Sequence, residues 1–492
     1  MAKGFIRYEI KNNVEYASVY KSRRADGKPV NDVKYLGKVI DKEKGVYQNR
    51  KCGMFHFTLE RGVIEYMPII SEKLILDFGD SYFLNEMLKQ TGFIDVLARA
   101  FGEKTAVVTA LVFYKALHGG ANCYAKNWWE GSYARLLFPE ASLASQRITD
   151  ILREIGNEHF QRAFFKEYLQ YVSSQCGNGI LIDSTGLPND IHFPLTAINN
   201  HNAIISNETR LVLVMDKKSG LPIYFRYVAG NIVDVATLEA TIAEVRAYGV
   251  DVRRAIVDAG YYSEKNIQAM HESEISFVLR MPSNRKLYKD LVREYAADLE
   301  DAKYLVKYRD RFAYIRRVEV DLFGKNGYAY VAMDIDRKHD EIKKYIAGAI
   351  DDKNTSHDEM NAEMQAKGLF VLVSSEKHET VDILPLYYTR QAIEQVFDIS
   401  KNNADLLPLR VHGIDSFRGL LLVSFMVSAT YVIVSKILKQ SDVCALGAYQ
   451  TLRNLKCKVY DTYFIVQEAN KKMNDIAKSV KLTFPLMLDY FL

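Results

Sequence analysis

Apolar and polar residues alternate in short runs over residues 1–75, as in Tyr16-Ala-Ser-Val-Tyr and Val33-Lys-Tyr-Leu, with Asp26-Gly27 and Gly45 breaking the runs. Alternation of period two, punctuated by turn residues, predicts a small β-rich N-terminal module. From about residue 81 to 172 the apolar spacing changes to three and four, as in Phe83-Leu-Asn-Glu-Met-Leu and Thr105-Ala-Val-Val-Thr-Ala-Leu-Val-Phe. That spacing predicts several short helices across 76–176.

From Gly177 the pattern turns again. Ile180-Leu-Ile reads as a buried strand, while Arg210-Leu-Val-Leu-Val-Met and Pro222-Ile-Tyr-Phe-Arg-Tyr-Val flank the turn Asp216-Lys-Lys-Ser-Gly as a hairpin. A helix follows near 235–248, then the strand Arg254-Ala-Ile-Val, a helix capped by Ser263, and the strand Ile275-Ser-Phe-Val-Leu-Arg. The order βββαβαβ is that of the ribonuclease H-like core, so the predicted fold class is α/β with this core at 177–283 and 377–440. Residues 284–376 interrupt it: a helical stretch at 286–301 precedes Tyr304-Leu-Val-Lys-Tyr, Phe312-Ala-Tyr-Ile-Arg-Arg-Val-Glu-Val and Tyr328-Ala-Tyr-Val-Ala-Met, which predict a β-rich insertion subdomain. Residues 441–492 are expected to form a C-terminal helical region.

Composition adds little beyond a folded chain of several domains, since 492 residues with 48% apolar and 26% charged side chains is ordinary globular usage. The net charge of +4 does not by itself mark a nucleic-acid binder. Five cysteines, at 52, 123, 176, 444 and 457, include no C-x-x-C pair, which speaks against a zinc ribbon or a secreted disulfide framework. The charged N-terminus lacks the apolar stretch of a signal peptide. The most apolar segment, 419–435, contains Ser424, Ser428 and Thr430 and barely reaches the roughly 17–20 residues of a membrane span. A buried core helix is expected there.

Two acidic residues stand where strands are expected to end. Asp183 follows Ile180-Leu-Ile, and Asp258 follows Ala255-Ile-Val. Carboxylates at a sheet's open end offer hard oxygen ligands suited to magnesium and phosphate chemistry, although aspartate also commonly closes a strand for turn geometry alone. A third element is sharper. Tyr387, Arg390, Glu394 and Lys401 lie at offsets 0, 3, 7 and 14, which on one helix keeps them within roughly 60° of each other. Ile393, Val396 and Phe397 would pack the other side into the core. By spacing alone the stripe also suits a surface salt-bridge ladder.

With these residues the chain resembles the DDE transposases of bacterial insertion sequences, in the insertion-sequence-4-like group with the Y-x2-R-x3-E-x6-K signature. The resemblance runs from about Gly179 to Lys436. It includes Asp183-Ser-Thr-Gly, Gly220-Leu-Pro, Gly230-Asn231, Asp258-Ala-Gly-Tyr-Tyr-Ser, Pro408-Leu-Arg and Arg418-Gly-Leu, and more loosely Tyr35-Leu-Gly-Lys. It implies that Asp183, Asp258 and Glu394 are the catalytic, metal-binding triad, holding two Mg2+ ions or Mn2+ in their place, and that Tyr387, Arg390 and Lys401 contact DNA. It implies a transposase that binds the terminal inverted repeats of an insertion sequence, cleaves the DNA and joins the 3′ ends to target DNA. Double-stranded DNA would be the partner, a homodimer the synaptic form, and the bacterial cytoplasm and nucleoid the location, with no membrane association. The 76–176 region would bind the DNA ends, with Ser145, Gln146, Arg147 and Thr149 presented by a helix capped near Ser142; an ordinary solvated face is the alternative. The insertion would help hold a hairpin or flipped base, with Tyr304, Tyr308, Phe312, Tyr314 and Tyr328 as candidate stacking rings.

Two other functions fit part of the pattern. A ribonuclease H-like nuclease needs only the triad, and a non-catalytic DNA-binding protein descended from a transposase needs none of it. Haloacid-dehalogenase phosphotransfer, which also starts at a strand-end aspartate, wants a second Asp where this chain has Thr185.

Overall fold

The computed structural model describes residues 4–489 apart from 12–13, 26–27, 50–52, 61, 68–73, 190–194, 202–203, 350–356, 442 and 461–462. The expected Asp26-Gly27 turn lies outside the described residues, as does Cys52. The chain divides into two compact units, one of Met1–Leu76, Cys457–Gln467 and Pro485–Leu492, the other of Asp77–Lys456 and Glu468–Phe484.

In the first unit the alternating N-terminal runs form β1 (Phe5–Lys11), β2 (Val14–Ala25), β3 (Lys28–Asp41), β4 (Val46–Asn49), β5 (Gly53–Thr58) and β6 (Gly62–Met67), paired antiparallel in chain order. One face collects Ala17, Val19, Leu36, Tyr47, Phe55 and Phe57 into a core, as period-two patterning requires. The short strand β7 (Leu74–Asp77) completes this stretch.

The second unit starts with helices α1 (Gly79–Thr91), α2 (Phe93–Phe101), α3 (Thr105–Leu117), α4 (Ala125–Gly131), α5 (Ala134–Leu137), α6 (Ser145–Ile155) and α7 (Glu158–Val172). The helix expected to be capped near Ser142 starts at Ser145 instead, with Ala144 in the cap position and no side-chain cap. It faces inward through Ile148, Ile151, Leu152 and Ile155.

A ten-stranded sheet follows, built from β8 (Gly179–Pro188), β9 (Ala197–His201), β10 (Ile204–Asp216), β11 (Pro222–Ala229), β12 (Arg254–Val257), β13 (Ser276–Met281), β14 (Leu305–Tyr308), β15 (Arg311–Asp321), β16 (Asn326–Asp334) and β17 (Leu369–Ser374). Helices α8 (Leu238–Ala247), α9 (Glu264–Glu272), α10 (Lys286–Tyr295), α11 (Ile335–Ala349) and α12 (His357–Gln365) lie between these strands in sequence. Ser263 caps α9 by accepting from Asn266 N, as its position in the sequence suggests. The strand order is β11-β10-β8-β12-β13-β17-β16-β15-β14, with β9 on β10. The fold is thus mixed α/β. Strands β14–β16 extend the same sheet, because β17 pairs with β13 on one side and β16 on the other.

Strand β8 does not stop at Asp183. Its antiparallel pairing with β10 runs on to Pro188, whereas its parallel pairing with β12 ends at Ile182 opposite Val257. Asp183 is therefore the first residue released on the β12 side while still held on the β10 side.

The remaining elements are α13 (Thr380–Tyr388), α14 (Gln391–Asp398), a π turn at Ile399–Asn403, α15 (Ile414–Ile437), α16 (Ala445–Leu452), β18 (Lys456–Val459), β19 (Tyr463–Val466), α17 (Lys471–Ser479) and β20 (Met487–Asp489). Residues 441–492 thus hold three strands besides the helices expected there. The alternating burial of Lys456-Cys-Lys-Val fits a strand, and β20, β19, β18 and β7 form a four-stranded sheet. Helix α15 is long and apolar enough to cross a membrane by length and composition alone, but 78% of its most apolar stretch is buried inside the protein. Phe425 shows why: its ring lies 5.4–6.0 Å from those of Phe164, Phe165, Tyr168 and Phe225.

Helices α6 and α15 cross with their backbones touching. A Cβ on Gly419 would stand 1.9 Å from Leu152 O, and one on Gly156 would stand 1.7 Å from Asp415 O. In an unobstructed helix, Gly→Ala stabilises by roughly 0.5–1 kcal/mol. Here the sign reverses: Gly419→Ala is expected to destabilise the protein by about 1–3 kcal/mol through overpacking, read as a lower urea midpoint. A midpoint equal to or above wild type would show that the crossing can open at no cost.

Candidate active site

Five of the six residues singled out in the sequence converge at the end of β12. Arg390 Nη1 donates to Asp183 Oδ2 at 2.5 Å, and Nη2 lies 3.7 Å from Asp258 Oδ1 and 3.4 Å from Glu394 Oε1. Tyr387 Oη donates to Asp258 Oδ1 at 3.0 Å. Lys401 is held one step away, its Nζ donating to Thr185 Oγ1 at 2.5 Å. Side-chain orientation follows from the strand: Asp183 and Thr185, two apart on β8, engage Arg390 and Lys401, while Ser184 between them engages Asp234 and Arg210.

The signature residues do not share one continuous helix. Tyr387 is in the last turn of α13, Arg390 lies in the turn after it, Glu394 is on the first turn of α14, and Lys401 is in the π turn. At the junction the backbone bonds tighten to three-residue spacing, with Arg390 N on Tyr387 O, Ala392 N on Thr389 O and Ile393 N on Arg390 O. Thr389 Oγ1 takes the Leu386 carbonyl at 2.7 Å, competing with the helical pattern. The π turn is fastened to α15 by the Ser400–Ser428 hydroxyl contact of 2.8 Å. Lys401 consequently reaches Thr185 rather than lining up above Glu394.

Burial pushes the Asp183 carboxyl up to about 6; Arg390 pulls it down, and Asp258 adds to the rise. Burial also raises the Tyr387 hydroxyl, with Asp258 adding to it. For Arg390 burial works against the charge, but Asp258 and Asp183 outweigh it and hold the guanidinium firmly protonated. Burial lowers the Lys401 ammonium, opposed by Asp398 and Glu208.

The donor chemistry fits a divalent cation: three carboxylates from segments far apart in sequence gather on one positive group. Among the described residues no three His, Cys, Asp or Glu side chains stand close enough to hold a metal unaided, because the guanidinium separates them. Sequence reasoning passed over Arg210 and Asp234. Only Asp234 had a signal, the glycine at 260, where a Cβ would stand 2.6 Å from Asp234 Oδ2; the glycine at 186 likewise marks Glu208, 2.3 Å from its Oε2. Such glycines imply a side chain pressed against the backbone beside each aspartate.

The raised Asp183 pKa favours the protonated form in the folded state. Its stabilising contribution is therefore complete below about pH 3.8 and is lost as pH rises through about 6. Asp183→Asn is accordingly expected to stabilise the metal-free protein at pH 8 by something on the order of 1–3 kcal/mol, seen as a higher melting temperature, and to lose that advantage toward pH 4. Thermal melts in EDTA across this range check it; a variant less stable than wild type at pH 8 would contradict it.

Comparison with known proteins places this geometry in context. Residues 174–429, just over half of the chain, match the family described as transposase DDE domain. No curated protein sequence matches. Among solved structures, a piggyBac transposase synaptic complex with hairpin DNA, determined by cryo-electron microscopy, is similar at 12% identity and a TM-score of 0.38, over 71% of this chain and 69% of that one. With the family matched across the segment that carries Asp183, Asp258, Arg390 and Glu394, the chain belongs to the transposase DDE domain family and is an enzyme of that class.

Proposed function

We propose that this transposase binds the terminal inverted repeats of an insertion sequence, cleaves the DNA at their boundaries and joins the 3′ ends to target DNA. The observation that carries the reading is the gathering of Asp183, Asp258 and Glu394 around the Arg390 guanidinium. The sheet supports a ribonuclease H-like core, since β10 pairs antiparallel with both β11 and β8 while β12 and β13 run parallel to β8. The Tyr387, Arg390, Glu394 and Lys401 spacing supports the insertion-sequence-4-like group.

Asp183, Asp258 and Glu394 would hold the cations, Mg2+ or Mn2+. Two bound ions would supply an activated water or 3′ hydroxyl and would neutralise the leaving oxygen during in-line displacement at phosphorus. Arg390 then has its guanidinium fork available for a DNA phosphate, to which it can donate two hydrogen bonds at once. Lys401 offers a compact charge to the same backbone, and Tyr387 orients the Asp258 carboxylate through its hydroxyl. No covalent protein intermediate is required. Two copies would act together on paired ends.

Labelled DNA carrying the element's terminal repeats, incubated with Mg2+ or Mn2+, tests this reading. Wild type is expected to cut at the repeat boundary. Asp183→Asn, Asp258→Asn and Glu394→Gln are each expected to cut about a hundredfold less or worse while binding the ends normally. Undiminished cutting by any one variant removes that residue from the triad. End binding without cutting by wild type would favour a non-catalytic DNA-binding protein.

A further inference from the structure

Behind the carboxylate cluster, on the opposite side of β8, lies a second polar group of residues that the proposed chemistry does not use. Ser184 Oγ donates to Asp234 Oδ1 at 2.5 Å. Arg210 Nη2 donates to both, at 2.6 Å to Ser184 Oγ and 3.0 Å to Asp234 Oδ1. Arg210 Nη1 lies 3.7 Å from Glu208 Oε1. Arg210 and Asp234 are nearly enclosed, with side chains 7% and 14% exposed. Burying a carboxylate and a guanidinium is costly, and this pair meets both directly and through the Ser184 hydroxyl.

What they fix is the spacing of two proposed metal ligands. Ser184 is the residue after Asp183, so its hydroxyl ties the Asp183 peptide to Asp234. The other oxygen of Asp234 lies beside the Asp258 turn, in the space a side chain at Gly260 would need: an added Cβ there would stand 2.6 Å from Oδ2 and 3.4 Å from Cβ and Cγ. Asp234 itself opens the short helical turn Asp234–Ala236, and Thr237 Oγ1 donates to its carbonyl at 2.9 Å. One carboxylate thus bears on both aspartate-carrying segments, which no sheet hydrogen bond joins beyond Ile182.

We infer that Asp234, acting with Ser184 and Arg210, is a positioning residue that sets the distance between Asp183 and Asp258 for cation binding. The inference rests on the reading of Asp183 and Asp258 as metal ligands. Partners that orient metal ligands typically contribute tenfold to a hundredfold in metal affinity without touching the ion. The hydrogen-bond acceptor at Asp234 Oδ1 is the working feature, so a side chain that keeps this acceptor keeps the function.

The test is Mn2+ affinity, read by electron paramagnetic resonance on the full chain bound to pre-cut terminal-repeat DNA, beside Mn2+ dependence of cleavage and thermal melts. Asp234→Ala is expected to weaken Mn2+ binding about 10- to 100-fold with end binding unchanged, and Asp234→Asn to stay within about threefold of wild type. A folded Asp234→Ala with wild-type Mn2+ affinity overturns the proposal. So do equal losses in both variants, since charge rather than the acceptor would then be at work. If Asp234→Ala does not fold, Ser184→Ala, which deletes one hydroxyl, carries the test: a severalfold loss is expected, and unchanged affinity overturns the proposal. Wild type that binds no Mn2+, or that binds it as tightly as Asp183→Asn does, would instead bring down the reading of the triad, and this inference with it.

Discussion

Everything at this site depends on keeping three carboxylates together at the end of β12, in the interior of a closely packed sheet. Asp183 is mostly buried, which raises its pKa; Arg390 beside it pulls the pKa down, and Asp258 adds to the rise. Arg390 supplies the positive charge, and its planar fork allows it to face Asp183 with one nitrogen and Asp258 and Glu394 with the other. A lysine at this position would offer one compact ammonium in place of a fork whose two nitrogens face separate carboxylates. On the proposed function, cations would take the place of the guanidinium between the carboxylates, and Arg390 would turn to a DNA phosphate.

The backbone makes that gathering possible through unequal pairing along β8. On one side β10 holds the strand through Pro188, and on the other β12 lets go after Ile182. The gap opened beyond Ile182 is where Asp258 leaves β12 and where Arg390 enters. Continuous pairing on one side gives rigidity, and its absence on the other gives access. Because β17 closes the sheet beside β13 and hands it on to β16, the long segment between Asp258 and Glu394 leaves this gap undisturbed. Glu394 returns to the site on α14, packed by Ile393, Val396 and Phe397.

Much of this was legible in the residues. Most of the strand and helix order from Gly179 onward follows from period and turn chemistry, and Ser263 does cap the helix it precedes, but β9 and the helices α11 and α12 were not among the expected elements. The buried helix at Ile414–Ile437 was foreseeable because Ser424, Ser428 and Thr430 interrupt an apolar run that barely reaches the length of a membrane span. Three further features were not legible. Asp183 is within a strand rather than at its end, since hydropathy cannot tell that one neighbour stops pairing before the other. The Tyr387–Lys401 stripe bends through a tight turn and a π turn, and the spacing of polar residues is blind to a change from four-residue to three- or five-residue hydrogen bonding. The strands after residue 455 are too short for their alternation to stand out from a helical surface.

The glycines of the two aspartate motifs carry a further lesson about what a short motif encodes. In Asp183-Ser-Thr-Gly only the first residue belongs to the carboxylate cluster. Ser184 ties the strand to Asp234, Thr185 receives Lys401, and Gly186 leaves room for the Glu208 carboxylate. In Asp258-Ala-Gly, Gly260 leaves room for Asp234. Each motif is therefore mostly a description of how closely a second layer of buried charge approaches the backbone. Mutating these glycines would move an aspartate indirectly, through a displaced Glu208 or Asp234, and would leave every proposed ligand in place. Residues that never touch the substrate can therefore be as constrained as those that do, because the separation of two carboxylates is set by the side chains wedged behind them.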